Sequence, residues 1–301
     1  MDMATHVIAR LDGARKQYDT VQALDGLDLE IQRGEVLALL GANGAGKTTA
    51  ISLLLGLAAP TQGSAELFGQ SPQDIKARQR VGVMLQTASI PDNNTVRELL
   101  ELTRSYYANP RDLDDCIRLA GLQDLMKRRY GKLSGGQQRR VQFALAICGN
   151  AELIFLDEPT TGLDIESREA LWAAIRALVT EGTAVLLTTH YLEEAQALAD
   201  RVVVIRNGRE VAQGTVDDIR ALVSDQRIRC RSLIALEQLV AWPGVRDATA
   251  TDGRIELVVE DAASVLRWLL SIDPTVSELE VTRAGLADAF LALTRDTQEK
   301  H

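Results

Sequence analysis

Residues 36–49 read VLALLGANGAGKTT, and this stretch sets the fold class of the 301-residue chain. Five apolar residues run into a glycine, which is the pattern of a buried strand entering a tight turn. Gly41, Ala42, Asn43, Gly44, Ala45, Gly46, Lys47 and Thr48 then satisfy G-x-x-x-x-G-K-[ST] at every fixed position. Residues 48–57 continue as a helix. The glycines let the backbone curl until successive N–H groups point at one phosphate, and the helix adds its positive end. Lys47 supplies a point charge for the β- and γ-phosphates. The Thr48 hydroxyl can ligate Mg²⁺, and Thr49 is placed near the α-phosphate.

Outward from this loop the text alternates strand and helix. Residues 7–12 and 27–31 alternate like strands, and 81–86 (VGVMLQ), 153–157 (LIFLD) and 184–188 (AVLLT) are short apolar runs. A helix over 165–180 joins the last two. That is a β-α-β unit, which implies parallel strands buried on both faces, hence an α/β fold with a mostly parallel core sheet. Residues 94–150 are helical, interrupted at Asn109-Pro110 and Gly131. Residues 202–206 and 209–213 form a hairpin through Asn207-Gly208. From about residue 225 the order becomes strand (227–232), helix (235–242), strand (247–251), strand (254–260), helix (262–271), strand (277–283) and helix (285–294). The β-α-β-β-α-β sequence implies a small ferredoxin-like α+β sandwich with an added helix.

Asp157 and Glu158 end the strand LIFLD. A carboxylate leaving a buried strand beside a phosphate loop is the expected holder of Mg²⁺, and its neighbour is a candidate general base for an attacking water. His190 closes the run AVLLTT, parallel to the strand carrying Asp157, so both leave the same sheet edge, where nucleotides bind in α/β folds. It is a candidate γ-phosphate contact. Gln86 ends VGVML and could reach Mg²⁺ or the water from that edge. A second anion-holding helix entry stands at Ser134-Gly135-Gly136-Gln137, far from the first in sequence.

GANGAGKTT, Gln86, LSGGQ, LIFLDEP, TGLD and His190, in this order, resemble the ATP-binding cassette (ABC) subunit of ABC transporters. The resemblance covers roughly residues 5–218, and LSGGQ is its discriminating element. It implies a P-loop ATPase domain with an antiparallel β subdomain and a helical subdomain over about 87–150 that meets a membrane partner. By the same resemblance Tyr18 stacks on adenine and Asp164 communicates across a dimer. Ser134, Gly135, Gly136 and Gln137 then meet the ATP bound by the other subunit. Two departures, Ala42 for the common proline and Thr48 for the common serine, keep the chemistry. The C-terminal residues 225–301, ending ELEVTRAGLADAFLALT with Leu286, Phe290 and Leu293 on one helix face, resemble the accessory domain of ABC-2-type exporter ATPases, the group with antibiotic and multidrug efflux systems.

The implied activity is ATP hydrolysis with Mg²⁺, coupled through dimer closure to transport by a separate permease, with a homodimer as the expected assembly. Non-transport ABC ATPases carry two cassettes per chain or a long coiled-coil insertion, and neither pattern occurs here. A regulatory module that binds ATP without hydrolysing it is opposed by Glu158 and His190. The net charge of −9 gives no support to nucleic-acid binding. The three cysteines, Cys116, Cys148 and Cys230, are scattered and fit reduced thiols. The most apolar segment, 50–60, is far below the ~20 residues of a membrane span. The expectation is a cytoplasmic chain held peripherally at the inner face of the cell membrane by another chain.

Overall fold

The computed structural model describes residues 7–87, 89–222, 226–283 and 285–294. The chain forms two compact units that divide after Val216. In the first, strands β1 (Val7–Tyr18), β2 (Val21–Gln32), β3 (Val36–Leu40), β4 (Gln62–Leu67), β5 (Val81–Met84), β6 (Leu153–Asp157), β7 (Ala184–Thr188), β8 (Arg201–Arg206) and β9 (Arg209–Gly214) build two sheets. A six-stranded sheet has the order β5-β6-β7-β3-β8-β9. Its first five strands are parallel and β9 joins antiparallel through the hairpin at Asn207-Gly208. A separate antiparallel sheet has the order β2-β1-β4.

The central parallel strands β3, β6 and β7 are buried along their whole length because both faces are covered. Successive side chains alternate between two cores. Ile154, Leu156, Val185 and Leu187 join the helical side, with Phe143, Val141 and Ile175. Leu153, Phe155, Ala184 and Leu186 join the side of the antiparallel sheet, with Leu27, Ile31 and Leu53. Burial of this kind stabilises by roughly 25 cal/mol per Å² of apolar surface. Register then fixes the functional edge. Met84 lies level with Leu156, Asp157 with Thr188, and Leu39 with Thr188, so the segments following β3, β5, β6 and β7 all emerge at one end.

The region expected to be helical over 94–150 holds helices Val96–Arg104, Leu113–Ala120 and Gly135–Ile147, with a short 3-10 turn at Tyr130–Lys132. Each α-helix has a side-chain N-cap: Thr95 and Ser134 with capping boxes, and Asp112 alone. Strands β1 and β2 run longer than their sequence alternation indicates, because register shifts within the pair break the strict period of two. Strand β4 has no apolar alternation and was not expected. Its backbone is ordered by pairing with β1.

The second unit carries β10 (Gln226–Arg231), helix Leu236–Val240, β11 (Val245–Thr251), β12 (Arg254–Val259), helix Ala262–Ile272, β13 (Ser277–Arg283) and helix Leu286–Thr294. The sheet order β11-β12-β10-β13, wholly antiparallel, is that of a ferredoxin-like sandwich. Ile228, Leu257, Val259, Val265 and Leu269 form its core, flanked by Trp242 stacked on Trp268 at 3.7 Å between ring centroids. All three thiols are buried, which pushes Cys116 up to about 11 and Cys148 up to about 12. Among the described residues no helix is long and apolar enough to cross a membrane.

Candidate functional site

The loop after β3 has no room for side chains where its first and last glycines sit. A Cβ on Gly41 would lie 2.7 Å from the Ile205 carbonyl oxygen and 2.9 Å from the Ala45 Cβ. Gly46 adopts φ 109°, and a Cβ there would lie 2.6 Å from the Ala23 carbonyl oxygen. The loop is pinned by Ala45 N–H donating to the Ala42 carbonyl at 3.1 Å and Gly208 N–H donating to the Ala45 carbonyl at 3.0 Å. Helix Lys47–Leu54 follows at once. Lys47 is buried, and its ammonium donates to the Gly41 carbonyl at 2.6 Å and the Ala42 carbonyl at 3.1 Å. Burial lowers its pKa against the opposing pull of Glu158 and Asp157.

At the ends of the neighbouring strands the acidic groups are held differently. Asp157 is buried, and its Oδ1 accepts the Thr188 hydroxyl. Glu158 turns away in a left-handed conformation, φ 50°, fixed by its N–H donating to the Thr188 carbonyl at 2.9 Å. A non-glycine residue in this region costs on the order of 1 kcal/mol or more and persists where surrounding contacts impose it. The turn presents the Glu158 carboxylate to three donors. Gln86 Nε2 donates to Oε2 at 3.2 Å, Thr161 Oγ1 reaches Oε2 at 3.4 Å, and His190 Nδ1 lies 3.1 Å from Oε1. His190 is otherwise solvent-facing and rests on the Tyr191 ring.

Asn43, Gly44, Gly46, Lys47, Thr48, Thr49, Gln86, Asp157 and Glu158 line one open cleft of about 490 Å³, walled on its other side by Val21, Gln22 and Ala23. The loop residues Gly41 and Ala45 are buried and outside the lining, and His190 joins through Glu158. Tyr18 does not line the cleft. It is 45% exposed at the end of β1, pairs in register with Val21, and has the Lys16 ammonium 4.9 Å from its ring centre. The wall residues Val21–Ala23 were missed. Their one sequence signal is an apolar valine just past a turn, and it sits 64% exposed.

Ser134, Gly135, Gly136, Gln137 and Asp164 lie outside this cleft's lining. Ser134 caps the helix Gly135–Ile147, accepting the Gln137 N–H at 3.3 Å while Gln137 Oε1 accepts the Ser134 N–H at 3.1 Å. Nothing lies within 4 Å of a Cβ built on Gly135. Asp164 caps helix Ile165–Thr180 by accepting the Ser167 N–H at 2.7 Å, and this hydrogen bond lowers its pKa.

The donor set suits a hard divalent cation. Thr48, Asp157 and Gln86 bring a hydroxyl, a carboxylate and an amide to one cleft, and no cluster of three or more His, Cys, Asp or Glu capable of caging a metal exists among the described residues. Mg²⁺ is typically held by one or two carboxylates together with substrate phosphates.

The ABC transporter family model matches residues 24–161, which takes in the phosphate loop, Gln86, the Ser134 helix entry and Asp157-Glu158. The daunorubicin resistance ATP-binding protein DrrA3 of Streptomyces coeruleorubidus is 36% identical over 95% of this chain and 95% of its own. This chain belongs to the ABC transporter ATPases. The daunorubicin/doxorubicin resistance ATP-binding protein DrrA of Streptomyces peucetius is 37% identical to this cassette over 94% of the chain and 91% of its own. The Nod factor export ATP-binding protein I of Burkholderia thailandensis is 42% identical over 66% of the chain and 68% of its own. Among solved structures, an ATP-binding subunit of an ABC transporter superposes with a TM-score of 0.66 at 28% identity, over 71% of this chain and 92% of that one. The cassette MJ0796, a dimer in a post-hydrolysis state bound to ADP and Pi, superposes at 0.64 with 25% identity, over 69% and 98%. The cassette is thus an ATP-hydrolysing subunit of the ABC transporter family.

Proposed function

We propose that two copies of this chain bind two ATP molecules at composite sites and drive a separate permease through an export cycle at the cytoplasmic face of the membrane. The observation that carries it is the division of the anion-holding parts. Phosphate loop, Gln86 and Glu158 line one cleft, with His190 on the Glu158 carboxylate, while the Ser134 helix entry lies outside it with an open approach. The export direction and an efflux-type cargo rest on the resistance and export relatives.

In this reading Lys47 and the backbone amides of 41–46 orient the β- and γ-phosphates, with Asn43, Gly44 and Thr49 along them. Thr48, Gln86 and Asp157 hold Mg²⁺, which neutralises charge on the phosphates. Glu158 accepts the proton of the attacking water, and His190 donates to the γ-phosphate. Tyr18, with Val21 beside it, meets the adenine. Ser134, Gly135, Gly136 and Gln137 reach the γ-phosphate of the partner's ATP through a helix N-terminus, and Asp164 signals across the dimer. Residues 5–218 act as the ATPase domain, 87–150 contact the permease, and 225–301 are an ABC-2-type accessory domain.

The test is ATP turnover of the wild type against Glu158→Gln. Turnover falls by about a hundred- to ten-thousandfold with ATP binding retained, the range of a lost general base. Unchanged turnover removes Glu158 from that role.

A further inference from the structure

The run Gln137-Gln138-Arg139-Arg140 reads as the solvated face of a helix, and its two arginines are placed very differently. Arg140 is partly exposed, donating to the Gly121 carbonyl at 2.9 Å. Arg139, one position earlier, is buried at 9% exposure. Its Nη1 donates to the carbonyls of Leu85 at 3.2 Å and Gln86 at 3.3 Å and to Gln142 Oε1 at 2.8 Å. Its Nη2 donates to the Asp157 carbonyl at 3.3 Å and to the Glu158 carbonyl. Gln142 is itself fixed by donating to the Tyr130 hydroxyl at 2.8 Å.

One guanidinium therefore grips two separate backbone segments, those bearing Gln86 and Glu158. It does so from a helix whose first residues are Gly135 and Gly136. A helix rises about 1.5 Å per residue and is stiff over so short a length, so Ser134 and Arg139 move together. The grip is chemically particular. A guanidinium has a planar fork of donors and stays charged when buried, whereas an ammonium is a compact point donor. A buried charge facing carbonyls is costly to keep, and packing alone gives no reason for it. Glu158 sits in a left-handed conformation that needs outside restraint. Arg139 holds its carbonyl while Thr188 holds its N–H.

We propose that Arg139 is a positioning residue that links the Ser134 helix to the backbone of Gln86 and Glu158, so that seating that helix on a partner's nucleotide aligns the hydrolytic groups of its own subunit. The proposal rests on the ATPase reading above. It adds a connection between the two half-sites of one chain, by which hydrolysis at one composite site depends on engagement at the other.

The experiment uses the full chain with MgATP and compares wild type, Arg139→Lys and Arg139→Ala, with monomer ATP affinity and thermal midpoint measured alongside. A wild type without turnover defeats the ATPase reading and this inference together. With an active wild type, Arg139→Lys lowers kcat by about ten- to a hundredfold, the worth of one to two charge-assisted hydrogen bonds, with KM and monomer affinity changed by less than about threefold. Guanidinium ion added at millimolar concentration restores part of the turnover of Arg139→Ala, and equal sodium chloride does not. A lysine variant within about twofold of wild-type kcat overturns the inference. So does a parallel loss of kcat, affinity and thermal midpoint in the lysine variant, which would make Arg139 a general core residue. Should Arg139→Ala fail to fold, the lysine variant decides alone.

Discussion

Gly135→Asp separates the two half-sites of the composite arrangement because its effects on the isolated chain and on the dimer have opposite signs. Within the chain the substitution meets no obstacle: nothing lies within 4 Å of a Cβ there, and Gly135 is not among the positive-φ glycines. Replacing glycine at the first helical position gains a few tenths of a kcal/mol in helix propensity, and a carboxylate at the N-terminus gains about 0.3–1 kcal/mol from the helix dipole. Together these raise the thermal midpoint by roughly 1–4 °C for a domain of this size. Monomer ATP affinity is unchanged, since Gly135 does not line the phosphate cleft. In the composite site proposed above, the same carboxylate faces a partner's γ-phosphate. At about 5 Å and an effective dielectric near 20, a unit-charge repulsion is about 3 kcal/mol per site. For two sites that is about 6 kcal/mol, or on the order of ten-thousandfold in ATP-driven dimerisation.

Sedimentation of the Glu158→Gln form with and without Gly135→Asp, in MgATP, measures the dimer without turnover. Gly135→Asn supplies nearly the same volume without charge, so the gap between Asp and Asn variants is the electrostatic part. Two results would refute the reasoning: an aspartate variant that dimerises like its parent, or one whose monomer no longer binds ATP. The second would mean that this helix entry serves its own subunit's nucleotide.

Gly46→Ala introduces a Cβ 2.6 Å from the Ala23 carbonyl oxygen at φ 109°, so the loop must shift. The backbone strain alone is about 1–3 kcal/mol, and titration calorimetry should show ATP affinity falling at least tenfold. Near-normal affinity would mean that the loop conformation is not what holds the phosphates. Glu194 is fully buried, with Trp172 Nε1 donating to its Oε1 at 3.3 Å, and burial holds its carboxyl above the ordinary 4.5. The folded chain keeps this proton after the unfolded chain has lost it, so stability declines as pH rises above the unfolded value. Glu194→Gln should therefore melt higher than wild type at about pH 8, the difference closing toward about pH 4. An advantage that does not vary with pH would show that titration of Glu194 is not its source.

Some of the fold and site was legible because it is encoded locally. The strand into Gly41, the G-x-x-x-x-G-K-T spacing that follows it, and the hairpin at Asn207-Gly208 are each read from residues a few positions apart. The β-α-β-β-α-β order of the second unit was likewise readable from alternation and turn residues, and its antiparallel sheet follows that order. Asp157, Glu158 and His190 could be marked because short apolar strands end in polar groups, and parallel strands discharge at one edge.

What the sequence could not decide is everything that depends on which distant segments become neighbours. Strand β6 lies between β5 and β7, and only that order and register bring Gln86 and His190 onto the Glu158 carboxylate. The wall formed by Val21–Ala23 depends on how the β1–β2 hairpin meets the phosphate loop. Burial of Arg139 against four carbonyls beside an exposed-looking Arg140 depends on where the helix Gly135–Ile147 rests on the sheet. Steric and capping preferences act over a few residues and are written in the chain. Long-range hydrogen bonding and burial act between segments that only the folded core places side by side.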